Sequence, residues 1–340
     1  MSHLRRLDGL DEVKPLLDAD DHTVLQRLAA PTLLRVPGTD PRPRARFVAT
    51  LLHGNEESGF WAVADLLRSG ARFPFDLWVL IGNVAAALAD GPFGHRYLEG
   101  QEDFNRVWER EPVRTPQRRM AAEVLATLDG LDLEAAIDLH NTTGHNPPHV
   151  IVPGDDPRML GLAGALGDLA LRWRLTAYTS MEAVGRRCPA VAVECGMAGV
   201  PANAAIAADV LRRFLHLEAV PAEGRPSELY EMRERVVVRG EVRFRFGGQL
   251  DDGVDLVLAR GLDAANFSML LAGTTLGWVR PGTAVPLRAT DMADNDVTEV
   301  LLEVTGDGRV VLRHDVTPVM MTRDEQQTRR DCLFYVAQRR

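Results

Sequence analysis

The run ARFVATLL (Ala45–Leu52) passes directly into His53-Gly54-Asn55-Glu56, and SGFWAVADLLRSG (Ser58–Gly70) follows. The first piece is short and continuously apolar but for Arg46 and Thr50, the pattern of a strand buried on both faces. The last piece has Phe60, Val63, Ala64 and Leu67 at helical spacing and stops at a glycine. Strand, polar turn and helix in that order form the repeating unit of an α/β fold.

The same alternation continues outward. FDLWVLIGN (Phe75–Asn83) reads as a second buried strand, and a long loop follows from about Val84 to Arg114. Loops of that length in a compact domain are usually functional or misassigned. PQRRMAAEVLATLDG (Pro116–Gly130) opens with proline and closes with glycine, a helix signature. EAAIDL (Glu134–Leu139), HVIVP (His149–Pro153) and PAVAVEC (Pro189–Cys195) read as strands. PRMLGLAGALGDLALRW (Pro157–Trp173) and ANAAIAADVLRRFLHLE (Ala202–Glu218) read as helices, with LALRWRL taken as core helix. This pattern predicts an α/β fold with a mostly parallel (mixed) sheet and helices on both faces. Ahead of it, residues 1–43 form a lead-in segment with a weak helix over Asp21–Leu28 and the proline-rich PTLLRVPGTDPRPR. Beyond Pro221 the texture changes. VVVRGEVRFRF, DLVLA, TTLGWV, TAVPLRA, VTEVLLEV and RVVLRH read as short strands of an antiparallel module. The expected organisation is a first domain over 1–222 and a smaller β-rich domain over 223–340, joined through the proline–glycine stretch at 223–227.

Composition agrees with this reading. At about 150 residues per domain, 340 residues make roughly two domains. With 46% hydrophobic and 26% charged residues the chain is neither disordered, collagen-like nor a coiled coil. Basic residues number 39 and acidic residues 48, a net charge of −9, which argues against a nucleic-acid partner. Cys188, Cys195 and Cys332 form no CxxC pair, as expected of free thiols in a reducing compartment. No signal-peptide pattern opens the chain and no apolar run has membrane-spanning length. The expected location is the cytoplasm, with no membrane partner.

Chemistry concentrates where the predicted strands end. In open α/β sheets ligands bind outside the carboxyl ends of the strands. There the chain places His53 and Glu56, then Gly82-Asn83, then Asp138-Leu139-His140-Asn141, then Glu194. Imidazole with carboxylate three residues away can ligate zinc, and the competing reading is a plain surface turn. His140 from another strand would complete a His–Glu–His set with a fourth position open. His145 and His149 compete with it from a loop, and Asp138 is placed to orient a ligand histidine. Glu194 on a buried strand is costly unless it serves a site, which suggests a general base. Its alternative is a salt bridge to Arg186 or Arg187. Alternation sends Cys195 to the opposite face. In the long loop, Arg96 could hold an oxyanion, and Asn105-Arg106 offers an amide and a guanidinium fork suited to a carboxylate.

Together the motifs HGNE, RY…DFNR, DLHNT and ECG, in that order, resemble the succinylglutamate desuccinylase/aspartoacylase family of zinc carboxypeptidase-like hydrolases. The resemblance spans roughly Ala45 to Leu217 plus the β-rich module. It implies one zinc held by His53, Glu56 and His140, with Glu194 as base and Arg96 polarising the scissile carbonyl. It implies Asn105 and Arg106 on a substrate carboxylate, Asn141 lining the site, and Arg186 or Arg187 as a second carboxylate contact. The run RYLEGQEDFN from Arg96 to Asn105 is longer than the family's spacing. Tyr230 and Tyr335 are the candidates in the β-rich module for a substrate-contacting tyrosine. The implied activity is zinc-dependent hydrolysis of a small N-acyl amino acid, a linear amide that is not a peptide bond, with a homodimer by family analogy. The alternatives are a zinc carboxypeptidase acting on peptides and a non-catalytic zinc- or ligand-binding homologue.

Overall fold

The computed structural model describes residues 3–173 and 176–340, without the side chain of Arg330. It divides into two compact units: Met1–Asn141 with Pro148–Leu229, and Thr142–Pro147 with Tyr230–Arg340.

The first unit contains, in chain order, β1 (Arg5–Asp8), α1 (Leu10–Leu17), α2 (Asp21–Leu28), β2 (Thr32–Val36), β3 (Ala45–Thr50), α3 (Glu57–Ser69), β4 (Asp76–Ile81) and α4 (Val84–Leu88). Then follow α5 (Pro116–Leu128), β5 (Leu133–Thr142), β6 (His149–Val152), α6 (Pro157–Leu166), β7 (Leu169–Arg172), α7 (Ser180–Val184), β8 (Ala190–Met197) and α8 (Asn203–His216). The strands lie in the order β1-β2-β4-β3-β5-β8-β6-β7. Pairs β1/β2, β3/β4, β3/β5 and β6/β7 are parallel, and β2/β4 and β6/β8 are antiparallel. The sheet is therefore mixed.

Alternate residues of each central strand face two separate apolar cores. Val48, Val79 and Ile137 pack with Phe60, Val63 and Leu67 of α3 and with Leu211 and Phe214 of α8. Phe47, Leu80 and Ala136 pack with Met120, Val124 and Leu128 of α5 and with Met181 and Val184 of α7. Helices thus cover both faces, which is why β3 reads as apolar throughout.

Three sequence expectations are corrected here. The helix expected over Pro157–Trp173 ends at Leu166, and Leu169–Arg172 forms β7. Gly167 caps the helix with its N–H on Ala163, and Ala170 and Leu171 then pair with Val150 and Ile151 of β6. Of the LALRWRL stretch, Arg174 and Leu175 lie outside the described residues. The lead-in segment is not loop with one helix: it supplies β1, α1 and β2, and β2 extends the sheet beside β4. The third concerns the second unit.

That unit begins with the body of β9 (Glu228–Val238), followed by β10 (Phe244–Phe246), β11 (Leu256–Leu258), a 3-10 turn at Leu262–Ala265, β12 (Thr275–Trp278) and β13 (Leu287–Asp291). It closes with α9 (Thr298–Leu301), β14 (Leu302–Val304), β15 (Arg309–Leu312), β16 (Thr317–Val319), α10 (Glu325–Arg330) and β17 (Phe334–Arg339). One sheet runs β10-β11-β12-β15-β14. β9 pairs antiparallel with β13 and β17. The module is not wholly antiparallel, because β10 and β11 are parallel. VTEVLLEV is half helix and half strand, the turn starting where Asp296 accepts the Thr298 N–H at 2.9 Å. Residues Thr142–Pro147 group with this unit because Asp263 accepts both the backbone N–H of His145 (3.0 Å) and its Nδ1–H (2.6 Å). No helix among the described residues is long and apolar enough to cross a membrane.

Candidate active site

The first strand-end turn is built for close approach. Leu51 leaves β3 with φ 56°, a left-handed conformation strained for a branched residue, and turns the chain into HGNE. A Cβ on Gly54 would lie 2.4 Å from the Ala87 nitrogen and 2.6 Å from the His95 oxygen, so only glycine fits. Its N–H donates to the Arg96 carbonyl at 2.9 Å, which ties the turn to the long loop. That loop is anchored further on by Phe104, Val107 and Trp108, all buried in the core beneath α5. Glu56 then stands at the N-cap of α3.

Glu56 is the centre of the cluster. Its Oε1 lies 2.8 Å from His53 Nδ1 and its Oε2 lies 2.7 Å from His140 Nδ1. Ligand atoms of His53, Glu56 and His140 all fall within 4.8 Å of one another, and the three residues are buried. Each imidazole also has a carboxylate on its other nitrogen. His53 Nε2 is 2.9 Å from Asp103 Oδ1, and His140 Nε2 is 2.8 Å from Asp138 Oδ2. The Ser180 hydroxyl at the start of α7 donates to the same Asp138 oxygen. Carboxylates placed this way hold the rings in one tautomer, with Nδ1 turned toward a common centre.

Arg96 reaches the cluster from the loop. Its Nη1 is 2.5 Å from Glu56 Oε1 and its Nη2 is 3.0 Å from His53 Nε2. Burial opposes the charge on Arg96, but Glu56 and Asp103 outweigh it and keep the guanidinium charged. Burial likewise pushes the Glu56 carboxyl up, yet His53, Arg96 and His140 hold it well below the usual carboxylate range. Burial pushes His140 down, and Asp138 and Glu56 together carry it well above the ordinary histidine range. Glu194, at the end of β8, goes the other way. Burial raises its carboxyl to about 7, and Glu56 adds to the rise against His140. Its Oε2 is buried without a hydrogen bond, as is His53 Nδ1 by hydrogen-bond geometry. Two imidazoles and a carboxylate around orphaned polar atoms are a donor set that fits a metal ion with an open position.

The remaining sequence candidates divide. Asn105 is brought in: its Nδ2 lies 3.3 Å from His140 Nε2, and its Oδ1 accepts the Ser180 N–H at 2.8 Å. Arg106 folds back so that Nη1 donates to the Asn105 carbonyl at 2.9 Å. Asn141 lies beside the cluster, but its side chain serves the backbone. Its Oδ1 accepts the Ser58 N–H at 3.2 Å, capping α3, and its Nδ2 donates to the Gly196 carbonyl at 3.1 Å. Arg186 lies at the surface. Its guanidinium is two-thirds exposed and lies 2.5 Å from Glu109. Arg187 pairs with Glu109 and Asp129. Neither partners Glu194. His145 is bound to Asp263, and His149 stands opposite Glu194 in the β6/β8 ladder. Cys195 is buried in the apolar core with α8, where burial raises its thiol. Tyr230 packs edge-on to Phe267, and the Tyr335 hydroxyl donates to Asp331 at 3.0 Å. Asp103 as the partner of His53 escaped sequence reading, because nothing periodic marks an irregular loop. Its signal is the Asx turn in which Oδ1 accepts the Asn105 N–H at 2.7 Å.

A mixed α/β sheet with a buried His–Glu–His cluster at the carboxyl ends of its strands defines a candidate metal-binding α/β protein. Residues 47–212 match the succinylglutamate desuccinylase/aspartoacylase catalytic domain. A probable aspartoacylase from Nostoc sp. is 29% identical over 132 residues, covering 34% of this chain and 42% of that protein. The match thus spans less than half of that relative's length. Among solved structures, a succinylglutamate desuccinylase/aspartoacylase from Rhodobacter sphaeroides is similar at TM-score 0.59 and 16% identity, covering 90% of this chain and 88% of the other. Murine aminoacylase 3 is similar at TM-score 0.52 and 18% identity, covering 89% and 97%. At these identities the structures establish the shared fold.

Proposed function

We propose that this chain is a zinc-dependent amidohydrolase that removes the acyl group from a small N-acyl amino acid. The observation that carries the reading is the convergence of Arg96 and Glu194 on the buried His53–Glu56–His140 cluster.

His53, Glu56 and His140 would hold one zinc ion, which when bound lowers the pKa of a water molecule from 15.7 to about 7. The chain's own groups do the rest. Glu194, with its carboxyl pushed up to about 7, takes a proton from the attacking water at neutral pH. It delivers that proton to the leaving nitrogen as the carbon–nitrogen bond breaks, giving a carboxylate and an amine. Arg96, kept charged in a buried setting, donates to the carbonyl oxygen as negative charge develops. One such donor is worth about 3–4 kcal/mol of barrier. Arg106 and the amide hydrogens of Asn105 orient the substrate through its carboxylate. A chain with a net charge of −9 needs these local cations to draw in an anion.

The test is a substrate panel with the zinc-loaded protein: N-acyl aspartates, N-succinylglutamate and other N-acyl amino acids beside short peptides with a free carboxyl terminus. The reading expects hydrolysis of acyl amino acids only. Cleavage of the peptides would move the assignment to a carboxypeptidase. Bound zinc without turnover of any member would make the chain a non-catalytic zinc- or ligand-binding homologue.

A further inference from the structure

We propose that the first unit carries a second ligand site, a cleft for a small anionic amphipath, at the opposite end of the sheet from the His53–Glu56–His140 cluster. Arg44 and Arg46 flank the start of β3, and Phe73 to Phe75 lead into β4, whereas His53 and Asn83 follow the far ends of the same parallel strands. Six residues at about 3.3 Å per residue separate the two ends by roughly 20 Å.

The cleft has a volume of about 650 Å³, within the range of small-molecule sites. Ala62 and Leu66 of α3 form one wall, and Ala208 and Leu211 of α8 form another. The floor is Phe73 and Phe75, whose rings stack at 5.3 Å. Arg46 fixes this floor from within. Only 2% exposed, it lies 4.1 Å over the Phe75 ring and donates to the carbonyls of Phe214 and Leu217 at 2.7 and 2.6 Å, closing the C-terminal end of α8. The floor and the C-terminal end of the α8 wall are therefore held by contacts that need no ligand, which makes that part of the cleft pre-organised.

Its rim is cationic. Arg44 and the buried Arg46 share the single carboxylate of Glu134 at 2.7 and 2.8 Å, and the lining residue Arg212 shares that of Asp209 with Arg213, which does not line the cleft. Arg72 is exposed, and no ion pair holds it among the described residues. Of the acidic lining residues, Asp65 is already paired with Arg68, which leaves Glu218 against the surplus. A positive rim over an apolar, aromatic floor, on a chain of net charge −9, selects a compact apolar body with one anionic head, such as a medium-chain or aryl carboxylate.

The probes are octanoate and its uncharged counterpart 1-octanol, titrated calorimetrically into the full-length zinc-loaded protein and into the chelated protein. Octanoate is expected to bind once per chain, more tightly than octanol, and equally well after chelation. Arg72→Glu is expected to weaken octanoate by up to about tenfold and leave octanol unchanged, the size of reversing one exposed ion pair. Ala208→Trp, at an exposed helical position that the larger ring would turn into the cleft, is expected to abolish binding of both probes without lowering the thermal midpoint. The proposal is overturned if octanoate does not bind saturably, if octanol binds equally well, or if either variant binds octanoate like the wild type. Loss of octanoate binding on chelation would also overturn it, by placing the carboxylate at the metal. These readouts measure no turnover, so the site stands or falls independently of the hydrolase reading.

Discussion

His140 turns its Nε2 onto Asp138 Oδ2 at 2.8 Å, from a position two residues further along the same strand. The side chains share a face because strand side chains alternate. The contact leaves Nδ1 of the same ring facing Glu56 at 2.7 Å. Asp138 is itself fully buried and accepts the Ser180 hydroxyl, so the pair is rigid. Removing an outer carboxylate of this kind typically lowers metal affinity by about 10–100-fold. Asp138→Ala is therefore expected to weaken zinc binding by that factor, read by competition with a chelating dye. Unchanged affinity would mean that the ring is oriented by something else.

Glu194→Gln is isosteric and removes only the base. The variant is expected to keep its zinc and lose turnover by at least about 10²-fold. Near-normal kcat would show that Glu194 does not carry the proton.

The same residue makes a separate prediction about stability. Its folded pKa of about 7 lies above the ordinary 4.5, so the folded state holds the proton more tightly than the unfolded chain. Stability therefore falls as pH rises from about 4.5 to 7, by on the order of 3 kcal/mol at most, and the penalty persists above pH 7. In chelated protein, Glu194→Gln is expected to melt higher than the wild type at pH 8 and level with it near pH 4.5. Equal midpoints at pH 8 would mean that the buried carboxyl costs the fold nothing.

Arg186 and Arg106 separate the surface from the site. Arg186 is two-thirds exposed on Glu109, so Arg186→Ala is expected to leave KM unchanged and to shift stability by less than about 1 kcal/mol. Arg106→Ala is expected to raise KM at least about tenfold, the size of one charged hydrogen bond. A KM effect at Arg186 instead would show that the loop carrying Glu109 rearranges when substrate binds.

The strand-end residues were legible in the sequence because apolar strands stop sharply at them. ARFVATLL ends at His53 and EAAIDL at His140, and burial on both faces leaves a polar residue there little purpose but a site. The helix–strand pattern of the first unit was legible for the same reason. The misread elements are those where period alone is ambiguous. LALR continues an apolar helix after a single Gly-Asp break, and only pairing with β6 makes it a strand. PTLLRV looked like proline-rich lead-in, and its pairing with β4 is a long-range choice that local pattern does not encode. Asp103 and Arg186 show how little sequence distance says about the site. Asp103 reaches His53 through the packing of Phe104 and Trp108, which no motif announces. Arg186 sits near Glu194 in sequence, yet the turn after α7 directs it to Glu109.

The central claim is that His53, Glu56 and His140 form one metal centre, and elemental analysis of the purified protein tests it most directly. The wild type is expected to carry about one zinc per chain, with His53→Ala and His140→Ala each losing it while retaining a cooperative melt. A folded wild type that takes up no zinc, or zinc retained after removal of His140, would contradict the assigned ligand set and the hydrolase reading built on it.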